Sequence, residues 1–177
     1  MENFDRPVLM VVDVQNGFLN QHSRHVIPNV VRLIHIFLER SLPIIFSRFT
    51  NVSGSSFETL VDWRRVYQPP ETDLADEVSP FAKTVINKHF YSSLTSESVR
   101  LIQAWDAQTL ILCGVATEAC VLKTALDAFE MDLVPVVIVD ACASDMGVHS
   151  HEAGVHVLKN LIGKRQTISL DELATRI

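Results

Sequence analysis

The chain has 177 residues, a size that suits one domain around a single core. Hydrophobic residues make up 47%, enough for a large buried sheet, while a formal charge of -6 without a basic cluster argues against a nucleic-acid partner. No apolar run is long enough to span a bilayer, the opening MENFDRP lacks the apolar stretch of a secretory signal, and three cysteines without CxxC spacing read as a reduced, cytoplasmic protein.

In chain order, VLMVVD (8–13) is an apolar run closed by an acid, the pattern of a buried parallel strand. A helix follows over 28–40, with Pro28 in its first turn and Val30, Leu33, Ile34, Phe37 and Leu38 at helical spacing. PIIFSRF (43–49) predicts a second strand and KTVINK (83–88) a third. Next comes a helix over 95–105 with Val99, Ile102 and Trp105 on one face. TLILCG (109–114) predicts the fourth strand, 117–130 the helix after it, and LVPVVIVDA (133–141) the fifth strand. A helix over 149–162 and an edge strand at 166–169 complete the series. The alternation predicts an α/β fold in one domain over 1–177: a doubly wound, mainly parallel, Rossmann-like sheet with helices on both faces. Residues 51–82 break the rhythm and read equally as a lid or pocket wall, or as a surface excursion or oligomer contact.

Ligands of a doubly wound sheet bind beyond the carboxyl ends of its strands. Three reactive residues fall at those ends: Asp13 after the first strand, Lys88 at the end of the third, and Cys120 in the helix after the fourth. Taken singly, each has an ordinary reading as a turn residue, a solvated cation or a packed thiol. Together at one sheet edge they make a nucleophile, a base and a cationic partner. With Thr117 as helix N-cap, the positive end of the helix should favour the Cys120 thiolate and lower its pKa.

The segments VVDVQNGF (11–18), INKHFYSS (86–93), ILCGVATEACVLKTALDAF (111–129) and VVIVDACAS (136–144) carry a resemblance that spans nearly the whole chain. In them the chain resembles the isochorismatase-like cysteine hydrolases, the superfamily of nicotinamidases, N-carbamoylsarcosine amidohydrolase and isochorismatase. The resemblance implies Asp13 as general base, Lys88 as its cationic partner and Cys120 as nucleophile. It also implies a cis peptide at Val115–Ala116, which helps aim the N–H groups of Ala116 and Cys120 at a developing oxyanion. The expected reaction is hydrolysis of a C–N bond in a small amide or N-carbamoyl substrate through a Cys120 thioester, without a cofactor. Family members are commonly dimers or tetramers, so a homo-oligomer is expected.

Nicotinamidases hold a metal on an Asp-x-His pair and a further His after the second strand. Here RFTNVSGSSFETL (48–60) contains no His, so no metal is expected and nicotinamidase activity is disfavoured. His22 and His25 are pocket-mouth candidates or plain loop histidines. His149 and His151, two residues apart, do not share a helix face, and His151 matches a common family position read as structural. Gln15 and Asn16 are expected to fix the loop around Asp13. Gln15, Phe18, Trp63 and Tyr91 are the substrate-binding candidates, and Arg48, Arg64 and Arg65 are candidates for pairing a substrate carboxylate. Cys113 and Cys142 read as core. The competing readings are a vinyl-ether hydrolase of isochorismatase type, in which that branch typically has Gly at the Cys120 position, and a catalytically silent assembly module.

Overall fold

A computed structural model describes residues 4–177; the first three residues of the MENFDRP reading lie outside them. Six strands form one parallel sheet: β1 (Pro7–Val12), β2 (Ile44–Phe49), β3 (Val85–Lys88), β4 (Thr109–Val115), β5 (Val134–Ala143) and β6 (Thr167–Ile168). Their spatial order is β3-β2-β1-β4-β5-β6. Every residue of β1 and β4 is buried, which is why both read as unbroken apolar runs instead of alternating ones.

Helices cover both faces. α1 (Ile27–Glu39) and α6 (Leu170–Ala174) pack together against β5, and α4 (Leu122–Glu130) and α5 (Val148–Leu161) pack together against β5 in the other layer. α1 buries Val30, Leu33, Ile34 and Phe37 completely. Each such side chain contributes about 1.5–3 kcal/mol. Leu38, predicted on that face, instead points outward at 39% exposure. α3 (Ser96–Ala104) starts where Thr95 accepts from Ser98 N–H, and its Ile102 reaches the core. α6 was not expected, although its capping box was legible: Ser169 and Glu172 cap each other three residues apart.

The chain runs from β1 outward to β3, then returns to place β4 on the other side of β1. That reversal opens a crevice beyond the ends of β1 and β4, the place where doubly wound sheets bind ligands. Gly114 makes the close approach possible. It pairs with Val12 at a φ of +121°, and a Cβ there would stand 2.0 Å from the Val12 carbonyl oxygen. The β4–β5 register shifts between Leu112 and Gly114, and the Val115–Ala116 peptide is cis, as expected from the resemblance.

The 51–82 segment holds a short α-helix, α2 (Ser56–Thr59), capped by Ser55, and a 3-10 turn at Ser79–Phe81, and it touches the sheet region through a bridge between Gln15 and Leu74. Among the described residues, no helix is long and apolar enough to cross a membrane.

Candidate active site

Asp13 follows β1 with a φ of +47°, a left-handed conformation that Asp tolerates better than most residues. Ser47, in the middle of β2, holds it there. Ser47 Oγ donates to Asp13 Oδ1 at 2.7 Å and accepts from Asp13 N–H at 3.2 Å. Ser93 Oγ donates to Ser47 Oγ at 2.9 Å, so one hydroxyl donor and both acceptor sites of Ser47 are used. The network continues: Ser93 N–H donates to Thr124 Oγ1 at 2.9 Å, and Thr124 Oγ1 donates to the Cys120 carbonyl at 2.6 Å. A continuous buried chain therefore ties the loop of Asp13 to the turn of Cys120.

Lys88 closes β3, in register with Phe49 of β2. Its ammonium reaches Asp13 Oδ2 at 2.6 Å, with both side chains fully buried. It also donates to the carbonyls of Phe90 at 3.1 Å and Tyr91 at 2.8 Å, and sits 5.5 Å from the Phe49 ring centroid. Burial alone would lower the Lys88 pKa; Asp13 and then Cys120 outweigh it and raise the value. The cation therefore stays charged in a dry setting.

Cys120 lies in a π-turn, Thr117–Val121, that opens directly into α4. Leu122 N–H bonds back to the Thr117 carbonyl and Val121 N–H to the Ala116 carbonyl, the wider ring that defines the turn. The N-cap residue is Ala116, not Thr117, and there is no side-chain cap. Thr117 Oγ1 instead meets His151 Nδ1 at 2.8 Å, which gives His151 the structural role expected of it. Gly154 of α5 lets this turn pack closely, since a Cβ there would stand 2.8 Å from Glu118 Cα.

The expected low thiol pKa is also corrected. Burial is the largest influence on Cys120 and pushes its thiol up to about 12; Lys88 opposes this and Asp13 adds to it. Desolvation outweighs the helix end because Cys120 as a residue is only 7% exposed. Cys142 is likewise pushed up to about 12 by burial, and Cys113 is raised well above its ordinary value. What separates Cys120 from these two core thiols is its company: Asp13 and Lys88 both lie within hydrogen-bonding reach of it, and it opens onto a pocket.

That pocket holds about 180 Å³ and is lined by Cys120, Ala116 and Ala119. Phe18, Phe49, Phe57, Trp63 and Tyr91 supply its aromatic lining. The volume falls below the roughly 300–1,000 Å³ of sites for drug-sized ligands, which suits a small molecule. The 51–82 segment supplies Phe57, Val61 and Trp63, so it forms part of the pocket wall.

Three of the substrate-binding candidates, Phe18, Trp63 and Tyr91, line this pocket, but Gln15 does not. Gln15 is fully buried: its Nε2 donates to the carbonyls of Phe49 at 2.8 Å and Thr72 at 2.9 Å, and its Oε1 accepts from Phe49 N–H at 2.8 Å. Its side chain anchors the loop to β2 and leaves no group for a ligand. Nor do the arginines face the pocket. Arg48 bonds Asn87 at 2.8 Å, Arg64 pairs with Glu58 and Asp62, and Arg65 pairs with Glu71 at 3.1 Å. His22 and His25 line a separate cavity of about 450 Å³ together with His149 and His151. No group of three or more His, Cys, Asp or Glu side chains among the described residues is arranged to hold a metal ion.

Sequence reading missed Ser47, Ser93, Thr124 and Glu118. Ser47 left a trace as a polar residue inside an apolar strand; the others gave no local signal.

The isochorismatase domain model matches residues 7–168, and the chain belongs to the isochorismatase family of hydrolases. An uncharacterized isochorismatase family protein, YwoC of Bacillus subtilis, is 26% identical over 93% of this chain and 92% of its own length. Among solved structures, an isochorismatase-like hydrolase from Alkaliphilus metalliredigens superposes with a TM-score of 0.84 at 18% identity, covering 96% of this chain and 98% of that one. The nicotinamidase PncA of Bacillus subtilis superposes at 0.81 with 22% identity, covering 93% and 99%. At such identities these two structures establish the shared fold.

Proposed function

We propose that this chain is a metal-independent cysteine hydrolase that cleaves the C–N bond of a small amide or N-carbamoyl compound. The observation that carries the reading is the 2.6 Å Asp13–Lys88 pair buried beside Cys120, which itself lines an aromatic pocket. A neutral resting thiol next to a carboxylate base defines the first step. As Cys120 Sγ attacks the carbonyl carbon, its proton passes to Asp13 and the carbonyl electron pair moves onto oxygen. The backbone N–H groups of Ala116 and Cys120 are the donors for that oxyanion. Collapse breaks the C–N bond, and the proton held by Asp13 leaves on the nitrogen as ammonia or an amine. Water then gives a proton to Asp13 and attacks the thioester; the C–S bond breaks and Sγ recovers the proton. One water is consumed per bond cleaved. Lys88, paired with Asp13 at 2.6 Å, stabilises the transient thiolate.

The test is ammonia release from a panel of primary amides and ureido compounds, with acid-quench mass spectrometry for an acyl adduct on Cys120. Turnover accompanied by that adduct is the expected result; turnover undiminished in Cys120→Ala would sink the reading. A vinyl-ether hydrolase is the second reading, and it would release pyruvate instead of ammonia. Three free cysteines support a reducing, cytoplasmic setting. Assembly as a homodimer or homotetramer belongs to the same proposal and is checked by sedimentation equilibrium.

A further inference from the structure

The pocket above Cys120 has a one-sided charge. Phe18 stacks on Trp63 with ring centroids 5.9 Å apart and planes 3° apart, and Phe57 meets Tyr91 edge-on at 4.9 Å. The charged side chains in its lining are Glu118 and Asp145; no Lys, Arg or His is among them. Glu118 Oε1 accepts from Ser144 Oγ at 2.5 Å, but Oε2 is buried without a hydrogen-bond partner among the described residues. A buried carboxylate without a compensating charge is costly, and a cation seated beside it offsets that cost.

The neighbouring cations do not fill this role. Lys88 is held by Asp13, and Arg65, whose field reaches Asp145, is held by Glu71. His151 lies near Glu118, but burial lowers its pKa more than Glu118 raises it, which favours its neutral form. His25 also lies near His151 and acts in the same lowering direction. Burial raises the Asp145 pKa, and Glu118 adds to that, as expected for two carboxyl groups facing one space.

We infer that the pocket selects a cationic substrate: a small amide or N-carbamoyl compound whose other end carries an ammonium or quaternary ammonium group. This names the substrate class of the hydrolase proposed above and rests on that reading. Aromatic faces attract a desolvated cation, and Glu118 with Asp145 completes the match. A substrate carboxylate would meet like charge on the same wall with no cation to receive it.

Three amides of similar size separate the possibilities: trimethylammonioacetamide, its neutral carbon isostere tert-butylacetamide, and the anion malonamate. Ammonia release should favour the cation over its isostere by about ten-fold or more in kcat/KM. Malonamate should not be turned over. Glu118→Gln should cut the cation-to-isostere ratio about ten-fold, chiefly through KM for the cation. A ratio of one or less, or a ratio that Glu118→Gln leaves unchanged, overturns the inference while the hydrolase reading stands. If none of the three releases ammonia, calorimetric titration of the Cys120→Ala protein with the same compounds decides. Preferential binding of the cation, lost when Glu118→Gln is added, upholds the charge preference although the hydrolase reading has failed. Absent or unselective binding overturns it.

Discussion

The reactive floor of the pocket and its aromatic wall are built in opposite ways. The floor hangs from the sheet: Asp13, Ser47 and Lys88 are at most 1% exposed, and hydrogen bonds join them across β1, β2 and β3 to the turn after β4. The wall takes Phe57, Val61 and Trp63 from the 51–82 segment, where these residues are partly exposed and the ion pairs are exposed ones such as Arg64 with Asp62. Groups that must sit within a few tenths of an ångström of a reacting atom belong on rigid elements. Groups that set which molecule enters can sit on a connection that tolerates change. On the proposed function, the difference between floor and wall is a division between chemistry and selectivity.

Breaking the floor should have the largest effect. Cys120→Ala is expected to lower kcat by about 10⁴-fold or more, measured by ammonia release, with little change in the thermal midpoint. Lys88→Met leaves the Asp13 carboxylate buried without its cation and should cost about 3–5 kcal/mol in urea unfolding. Arg64→Ala, which removes an exposed pair from the wall, should stay within about 1 kcal/mol. Similar losses from these two variants would erase the distinction.

Ser47→Ala tests whether the hydroxyl chain acts as a unit. Loss of both its donor and acceptor roles should cost about 1–3 kcal/mol and lower kcat, with Ser47→Thr restoring part of each. Trp63→Ala sharpens the comparison from the other side: KM should rise about ten-fold while kcat stays within a few-fold. A collapse in kcat instead would mean that the wall also positions the reacting carbonyl.

The smallest effect concerns protons. Iodoacetamide labelling of Cys120 in the free protein should show no midpoint below the ordinary thiol value of about 8.5, because burial holds the thiol neutral. A midpoint below it would restore the helix-end thiolate and remove burial as the leading influence. The same shift has a sign for stability. A folded-state pKa of about 12 for Cys120 and for Cys142 lies above the unfolded value. Their contribution is therefore complete below the unfolded thiol pKa and declines as pH rises toward about 12. Chemical denaturation between those values should show falling stability.

Much of the scaffold was legible in the chain because its signals are local. Apolar runs marked β1, β2, β4 and β5 within a residue or two at most ends, and a switch to helical spacing marked α1 and α3. Asp13, Lys88 and Cys120 were readable because each stands at the end of such a run and within a motif of recognisable spacing. Three things depended on contacts between distant segments. Which strands lie side by side decided that Ser47 would grip Asp13, 34 residues away, and Ser93 would grip Ser47, 46 residues away. Packing around the π-turn decided that Cys120 rests as a thiol, since desolvation is a property of all the surrounding elements and not of the helix that carries the residue. Folding of 51–82 against β2 decided that Trp63 faces the pocket while Arg64 and Arg65 turn to Glu58, Asp62 and Glu71. The sequence by itself determined the strands, most of the helices and the three reactive residues, because periodicity and motif spacing act over a few residues. Tertiary structure alone decided the protonation state, the supporting hydroxyls and the charge of the pocket, because each arises where segments far apart in the chain exclude water together.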